Sequence, residues 1–200
     1  MKKNILNLLA VVGTIAFVSP AQAQGHYHLY VSAVGTNQND QLFFDDTTLT
    51  PADSFVSTLN YTNAGVYAGY YQPGGLTIAV LAQTPANAGP VPNAPATGSW
   101  IFVRVVSVQG PAGGEFSYWE TNATSPTFVV PVGTTDGTNS YRAGMNDGSP
   151  GSDPYGHIHG RAFNVNQPGL YTIGFQAFDH STNGADGGPI QSPSAVYYFR

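Results

Sequence analysis

The chain has 200 residues, of which 8% are charged, with six Lys and Arg against eleven Asp and Glu for a net charge of −5. It contains no cysteine, which excludes disulfides, thiolate metal ligands and cysteine nucleophiles. The few cations are not clustered as binding to nucleic-acid phosphates or to an acidic membrane surface requires. An aromatic content of 12% is instead typical of a chain with a packed core.

Residues 1–23 have the features of a signal peptide. Lys2 and Lys3 precede an apolar run over residues 5–18, which is shorter than the roughly 17–25 residues of a membrane span. Ala21 and Ala23 supply the small residues of a cleavage site. We therefore expect a secreted or periplasmic chain of residues 24–200 that forms one domain. Its four arginines face eleven carboxylates, so its net charge is −7.

Apolar residues along the rest of the chain recur with a period of two, which is typical of strands. Clusters of Gly, Pro and Asn separate these stretches, and none has helical periodicity. The pattern predicts an all-β fold, a single antiparallel β-sandwich of the Ig-like or jelly-roll-like kind with no helix in the mature chain. The predicted strands are residues 26–34, 54–61, 65–71, 76–82, 99–108, 114–120, 126–131, 157–165, 169–178 and 194–199.

Three of these segments carry a further expectation. Residues 99–108 are apolar on both faces, which predicts a central strand covered on both sides. Residues 84–98 and 132–156 are rich in Gly, Pro and Asn and are predicted to be long irregular segments. Segments of that length in a compact domain are usually functional or mobile.

Four of the five histidines lie in two copies of a Gly-His-x-His pattern, at residues 25–28 and 156–159. In an extended strand, residues two positions apart point to the same side, about 6.6 Å from each other. His26 and His28 therefore share one side of the first strand, and His157 and His159 share one side of a later strand. If these two strands are neighbours, four imidazoles converge.

Neutral imidazole is a ligand for Zn, Cu, Ni or Fe, so the pattern predicts a transition-metal site, with Zn or Cu as the expected ion. The first and last strands of sandwiches are often paired, which would place the two histidine strands side by side. His180 and Asp179 follow a predicted strand and are further candidate ligands. The predicted metal set is completed by Asp153 as a secondary carboxylate.

Arg161 shares a side with His157 and His159, and its positive charge opposes a cation. It favours an anionic small ligand instead, or an acidic partner such as Asp153. A second metal arrangement uses the amine of Gln24, two backbone amides and His26 to bind Cu(II) or Ni(II) in a square plane. The plain alternative is that the histidines are polar surface residues of a structural cell-surface or matrix protein without a specific ligand.

Motifs of known enzymes are incomplete in this sequence. It has no Gly-x-Ser-x-Gly nucleophile elbow, and Glu115 and Glu120 are predicted to lie on opposite faces of one strand, which separates them as an acid–base pair. A calcium-loop spacing from Asp179 has Ile190 where a bidentate Glu is required. We therefore expect a protein that is not an enzyme.

The aromatic stretch at residues 116–119 has two interpretations. Phe116 and Tyr118 share one face of a predicted strand, and Trp119 lies on the other. Such rings can stack on sugars, but their alternation favours packing in the core. At most one face would be free to bind.

The C-terminal part of the chain resembles two groups of bacterial proteins. Residues 153–199 resemble uncharacterised exported proteins that often carry a PEP-CTERM sorting tail, although this chain ends at "YYFR" without such a tail. The stretch "PGLYTIGFQAFD" after the His-x-His pattern is similar to a repeat of actinobacterial surface-anchored proteins found near metal transport systems. The resemblance implies His157 and His159 as candidate ligands and defines no reaction.

Residues 151–164 are also similar to the first motif of cupins, with Gly151, His157 and His159 in register. Asn164 stands where that motif has a glutamate ligand. A cupin-type metalloenzyme is therefore the third functional hypothesis, after a non-enzymatic binding protein and a structural protein.

Overall fold

The computed structural model describes residues 27–46, 49, 56–73, 76–80, 93–145 and 161–200. Over these residues the chain is all-β and contains no helix, which confirms the predicted fold class. No helix in this described part is long and apolar enough to cross a membrane. The strands are β1 Tyr27–Ala33, β2 Leu42–Asp45, β3 Leu59–Tyr61, β4 Tyr71–Pro73, β5 Leu76–Val80, β6 Trp100–Gln109, β7 Glu115–Trp119, β8 Phe128–Pro131, β9 Asn139–Met145, β10 Ala162–Val165, β11 Thr172–Asp179 and β12 Tyr197–Phe199.

The strands form three sheets that pack around one core. Sheet I has the order β2-β1-β5, sheet II the order β3-β4-β10-β7-β8 and sheet III the order β12-β11-β6-β9. Strand neighbours are antiparallel with one exception within these sheets, the parallel pair β1–β5. A single parallel bridge between Gln41 and Ser192 also connects the start of β2 to the C-terminal region.

An aromatic cluster fills the space between sheets II and III. Phe116, Tyr118 and Phe163 face inward from sheet II, and Tyr141 and Phe175 meet them from sheet III. All five side chains are at most 6% exposed. The buried core also includes residues of sheet I, such as those at positions 29, 31 and 78. Large rings on alternate residues therefore supply the packing that holds the layers together.

The strand β6 is central in sheet III, as predicted, but only one of its faces is fully buried. Ile101, Val103 and Val105 are at most 1% exposed, whereas Phe102 and Arg104 on the other face are half-buried. The expectation that both faces are covered is therefore wrong. Apolar residues on the outer face contact each other and remain partly open to solvent.

The predicted strand at residues 65–71 is also wrong for most of its length. Residues 64–69 form a turn between β3 and β4, and only Tyr71 belongs to a strand. Gly65 and Gly69 adopt φ angles of 76° and 89°, which glycine tolerates and which interrupt an extended backbone. The turn is closed by the amide of Thr62, which donates to the carbonyl of Tyr70 at 2.9 Å, and by the amide of Gly69, which donates to the carbonyl of Thr62 at 2.8 Å.

Two strands have no counterpart in the prediction. β2 was not predicted at all, and β9 lies inside the predicted irregular segment 132–156. Among the residues of β9 whose burial is described, Tyr141 and Ala143 supply the buried apolar side chains, and the polar residues Ser140 and Arg142 at the alternate positions are exposed. Their alternation is too short to stand out in a segment rich in Gly, Asn and Asp. Each of the other predicted strands overlaps an observed strand. β6 and β11 end one residue beyond the predicted segments, and the remaining strands lie within them with shorter bounds.

Candidate functional site

An ion pair lies at the start of β10, and the register between β10 and β7 brings its two residues together. Ala162 of β10 pairs with Trp119 of β7, so Arg161 and Glu120 lie opposite each other one residue beyond the ladder. Arg161 Nε donates to Glu120 Oε1 at 2.7 Å, and Nη2 donates to Oε2 at 3.2 Å. The side chain of Arg161 is 9% exposed and that of Glu120 is 42% exposed. The pair therefore sits at the edge of the core, with the cation on the buried side.

Two tyrosines complete this cluster, which we call the Arg161 cluster and define as Arg161, Glu120, Tyr118 and Tyr141. The rings of Tyr118 and Tyr141 stack with centroids 4.2 Å apart and an angle of 12° between their planes. The guanidinium carbon of Arg161 lies 5.5 Å from the centre of the Tyr141 ring. The Tyr118 hydroxyl donates to Glu120 Oε2 at 2.8 Å. The Tyr141 ring and the Glu120 carboxylate thus both contact the guanidinium.

The cluster changes the acidity of its members. Burial raises the pKa of Glu120, but hydrogen bonds from Arg161, from the amide of Thr121 and from Tyr118, with the charge of Arg161, outweigh it and lower that pKa. Burial is the main reason that the pKa values of Tyr118 and Tyr141 rise well above the usual value for a phenol. Glu120 is therefore an anion and both phenols are neutral at neutral pH.

Two polar atoms of the cluster have no partner among the described residues. Arg161 Nη1 and the Tyr141 hydroxyl are buried, and neither forms a hydrogen bond within that part of the chain. A buried donor without an acceptor destabilises the fold by roughly 1–3 kcal/mol, and by more when the donor is charged. Such groups in native proteins usually meet water, an ion or a ligand.

A cavity of about 170 Å³ adjoins the cluster. Its described lining consists of Gln72, Pro73, Leu76, Arg161, Ala162 and Phe163. Leu76 begins β5 and pairs with Tyr27 at the start of β1. The beginnings of β5 and β10 thus line one cavity, and the beginning of β1 pairs with the beginning of β5.

The histidine pairs are only partly within the described residues. His26, His157, His159 and Asp153 lie outside them. The backbone of His28 lies in β1 and pairs with Thr77 of β5. β1 has β2 and β5 as neighbours, and β10 has β4 and β7. The expectation that the first strand pairs with a strand from the C-terminal third is therefore wrong, because β5 occupies the second edge of β1 in a parallel ladder.

Asp179 is a structural carboxylate in the described structure. Its Oδ1 accepts from the amides of Trp100 and Ser181, each at 2.9 Å. Its Oδ2 accepts from the Ser181 hydroxyl at 3.0 Å and from the amides of Ile190 and Gln191 at 2.8 and 3.2 Å. The residue is 4% exposed. These five hydrogen bonds explain why β11 ends at an aspartate, since they hold the loop over residues 180–191 against β6.

His180 lies on the outer face of sheet III. Its ring centroid is 5.0 Å from that of Phe102 and 6.2 Å from that of Phe178. Its amide donates to the carbonyl of Trp100 at 2.8 Å. Within the described ranges, no group of three or more His, Asp or Glu residues is arranged to hold a metal ion. The structure therefore does not bring His180 and Asp179 together with another metal-binding side chain there.

The aromatic and amide residues of β7 and β10 are part of the packing. Trp119 is 2% exposed and lies edge-on to the rings of Tyr67 and Tyr70, with centroids 5.1 and 5.4 Å away. This burial confirms the interpretation that the aromatic residues of β7 pack in the core rather than form a sugar-binding surface. Asn164, at the cupin glutamate position, is fully buried, and with its amide correctly oriented its oxygen accepts from Trp119 Nε1 at 3.0 Å.

Sequence reasoning did not find the partners of Arg161. It anticipated an acidic residue and named Asp153, whereas the structure shows Glu120 in that role. Glu120 is one of two glutamates in the chain and ends a predicted strand, so a search for carboxylates at strand ends had a signal to use. Tyr141 offered no such signal, since it lies in a segment predicted to be irregular.

Comparisons with known proteins identify no relative of this chain. No protein-family model matches this chain, and no curated protein and no solved structure is significantly similar to it. The resemblance to exported bacterial proteins described above therefore stays a prediction.

Proposed function

We propose that this chain is an exported, non-enzymatic β-sandwich protein that binds a transition-metal ion, Zn or Cu, or a small ligand where β1 and β10 begin. His26, His28, His157 and His159 supply the imidazole ligands in this proposal. Export to the periplasm or beyond follows from the signal-peptide features of residues 1–23. The resemblance to exported PEP-CTERM-type proteins and to surface repeats near metal transport systems favours the same role.

The observation that supports the proposal most strongly is the cavity beside Arg161. Leu76 lines it together with Arg161, and Leu76 pairs with the residue that precedes His28. His159 precedes Arg161 by two residues, a separation that an extended chain spans in about 7 Å. Each His-x-His pair is therefore within a few residues of the same cavity, although the strands that follow them belong to different sheets.

The charge of Arg161 does not oppose a cation at this end of the sandwich. Two guanidinium nitrogens bond to Glu120, whose pKa is lowered so that the carboxylate stays ionised. The pair is close to neutral as a unit, and Glu120 remains 42% exposed. The repulsion that the sequence alone indicates is thus compensated within a single cross-strand contact.

The proposal is tested by measuring bound metal in the purified chain without an affinity tag. After dialysis against a low concentration of Zn or Cu, elemental analysis should give stoichiometric metal. The variants His28→Ala and His157→Ala/His159→Ala should lose most of it, since each removes ligands from one pair. His180→Ala is the matched control, because its ring packs on Phe102 at the outer face of sheet III.

Two results would count against the proposal. The first is that the unaltered chain retains no transition metal, which would favour the structural cell-surface or matrix protein. The second is that metal binding is unchanged in the His157→Ala/His159→Ala variant, which would place any metal elsewhere. Turnover of a substrate by the metal-loaded chain would favour the cupin-type enzyme instead.

A further inference from the structure

A second cavity, of about 60 Å³, lies where sheets II and III face each other. Its inner walls are formed by six apolar side chains of β5, β7, β10 and β11, each at most 7% exposed. These side chains are Leu76, Phe116, Phe163, Val165, Ile173 and Phe175. The cavity therefore reaches into the aromatic core of the sandwich.

The cavity is open to solvent on one side. Val56 and Leu170 belong to its lining and are 53% and 68% exposed, although both side chains are apolar. The turn before β11 holds Leu170 in this position, since Gly169 adopts a φ of 148° and the Tyr171 hydroxyl donates to the carbonyl of Gln167 at 3.2 Å. A ligand thus has a route past these two exposed residues to the buried walls.

We infer that this cavity binds the alkyl chain of a small amphiphile, with the chain inside and the polar head group at the mouth. The site goes beyond the proposed metal function and uses none of the histidines. Ser57 and Arg200 also line the cavity, and Arg200 is exposed, so a head group at the mouth stays beside polar groups and water.

The walls favour hydrocarbon over a polar ligand. Among the described lining residues, none has a buried side-chain oxygen or nitrogen that lacks a hydrogen-bond partner. Asn164 is the buried polar residue of the lining, and its amide oxygen already accepts from Trp119 Nε1 at 3.0 Å. Water gains little from entering such a cavity, because it needs two or more polar partners there.

The volume suits a chain of a few carbon atoms. It is about four to six times the roughly 10–15 Å³ that a single water requires, and a methylene group is similar in size to a water molecule. Protein cores contain few voids larger than a water, because atoms that line a void lose contacts on that side. An alkyl chain restores these contacts and leaves water, which is worth about a fourfold gain in affinity for each methylene.

The test is a binding series with n-alkanols from ethanol to octanol on the purified chain. A chelator is present, so the result is independent of any histidine-bound metal. In methyl NMR spectra the signals of Val165 and Ile173 should shift and saturate, whereas those of Val31, which is buried outside the described lining, should stay in place. We expect the affinity to rise about fourfold per carbon up to about the sixth carbon, and less than about twofold per carbon beyond it.

Val165→Ile adds one methyl group to a wall of the cavity. We expect this variant to bind hexanol about fourfold more weakly, because the added group takes the place of one ligand carbon. Its thermal midpoint without ligand should be equal or higher, since the group fills part of the void. Val103→Ile is the matched control, because Val103 is fully buried in β6 outside the described lining. Its hexanol affinity should equal that of the unaltered chain.

Three outcomes would overturn the inference. In the first, hexanol causes no saturable shift of the Val165 and Ile173 methyl signals. In the second, the affinity keeps rising by about fourfold per carbon through octanol, which would indicate adsorption to an open surface instead of a cavity of limited size. In the third, Val165→Ile binds hexanol as tightly as the unaltered chain.

Discussion

Arg161 and Glu120 form a bidentate ion pair across the β10–β7 boundary, although they are 41 residues apart in the chain. The pair connects the first residue described after the second histidine pair to the residue that follows β7 in sheet II. Tyr118, two residues before Glu120, extends the contact to the stacked ring of Tyr141 in sheet III. The ion pair thus lies within sheet II, and the stack of Tyr118 on Tyr141 connects it to sheet III at the end where the proposed site lies.

Replacing Glu120 with glutamine should destabilise the chain at neutral pH. The change leaves the mostly buried guanidinium without a counter-charge. Loss of one partner of a fully buried pair costs roughly 3–5 kcal/mol, and the 42% exposure of Glu120 reduces our expectation to about 2 kcal/mol. Urea unfolding at pH 7 measures the difference in free energy of unfolding. A loss below about 0.5 kcal/mol would show that the pair behaves as an exposed one.

The same variant gives a prediction for pH. Because the folded pKa of Glu120 is lower than that of an unfolded glutamate, about 4.3, its stabilisation is fully present above pH 4.3. It is lost as the pH falls through the folded pKa, when the carboxyl group is protonated in both states. Unfolding curves of the unaltered chain and Glu120→Gln should therefore converge below about pH 4. A constant difference from pH 7 to pH 3 would contradict the lowered pKa.

Local sequence patterns were sufficient to predict the fold class and most strands. The period-two alternation around Ile173 and Phe175, for example, depends on neighbouring residues alone. The structure has a strand, β11, at these residues. The turn at residues 64–69 was missed because its apolar residues resemble a strand, while Gly65 and Gly69 were free to adopt positive φ angles. The alternation of apolar and polar residues indicates which side chains are buried. It does not indicate where a glycine turns the chain.

Strand pairing was the part that local patterns could not determine. The alternation separated Glu120 from Glu115, but it assigned Arg161 to the polar side of its strand, whereas the Arg161 side chain is 9% exposed and lies over the Tyr141 ring. It did not reveal that β10 lies against β7, because that neighbour is chosen by the packing of Phe116, Tyr118 and Phe163 in three dimensions. For the same reason, the sequence suggested a pairing of β1 with a C-terminal strand, whereas β1 pairs with β5.

Replacing Asp179 with asparagine should also destabilise the chain. The carboxylate accepts hydrogen bonds from four backbone amides and one hydroxyl, and an amide side chain offers one acceptor oxygen and directs an NH₂ group toward donors. We expect a loss of about 2–4 kcal/mol because Asp179 is 4% exposed. The matched control is Asp186→Asn, since Asp186 is exposed and accepts from the amide of Gly188. Equal effects of the two variants on the free energy of unfolding would contradict a structural role for Asp179.

Replacing His180 with alanine should have little effect on stability or on metal binding. The residue is exposed and its ring contacts Phe102 and Phe178 on the outer face of sheet III. We expect a change of about 0.5 kcal/mol or less in the free energy of unfolding. Zn affinity, measured by competition with a chromogenic chelator, should equal that of the unaltered chain. A loss of affinity larger than about tenfold would include His180 among the ligands and would enlarge the proposed site.

Metal binding by the proposed site should weaken in mildly acidic solution. An imidazole binds metal only in its neutral form, and histidine has a pKa of about 6.5 in the absence of metal. Protons therefore compete with Zn or Cu below about pH 6, and a site with several imidazoles loses affinity steeply because each ligand must release a proton. Competition titrations at pH 7.5, 6.5 and 5.5 measure this dependence, with the His157→Ala/His159→Ala variant as the control that lacks two of the ligands. The Arg161–Glu120 pair stays ionised over this range, since the Glu120 pKa is lowered, so a change in affinity reports the histidines rather than the ion pair. An affinity that is constant down to pH 5.5 would exclude imidazole ligation.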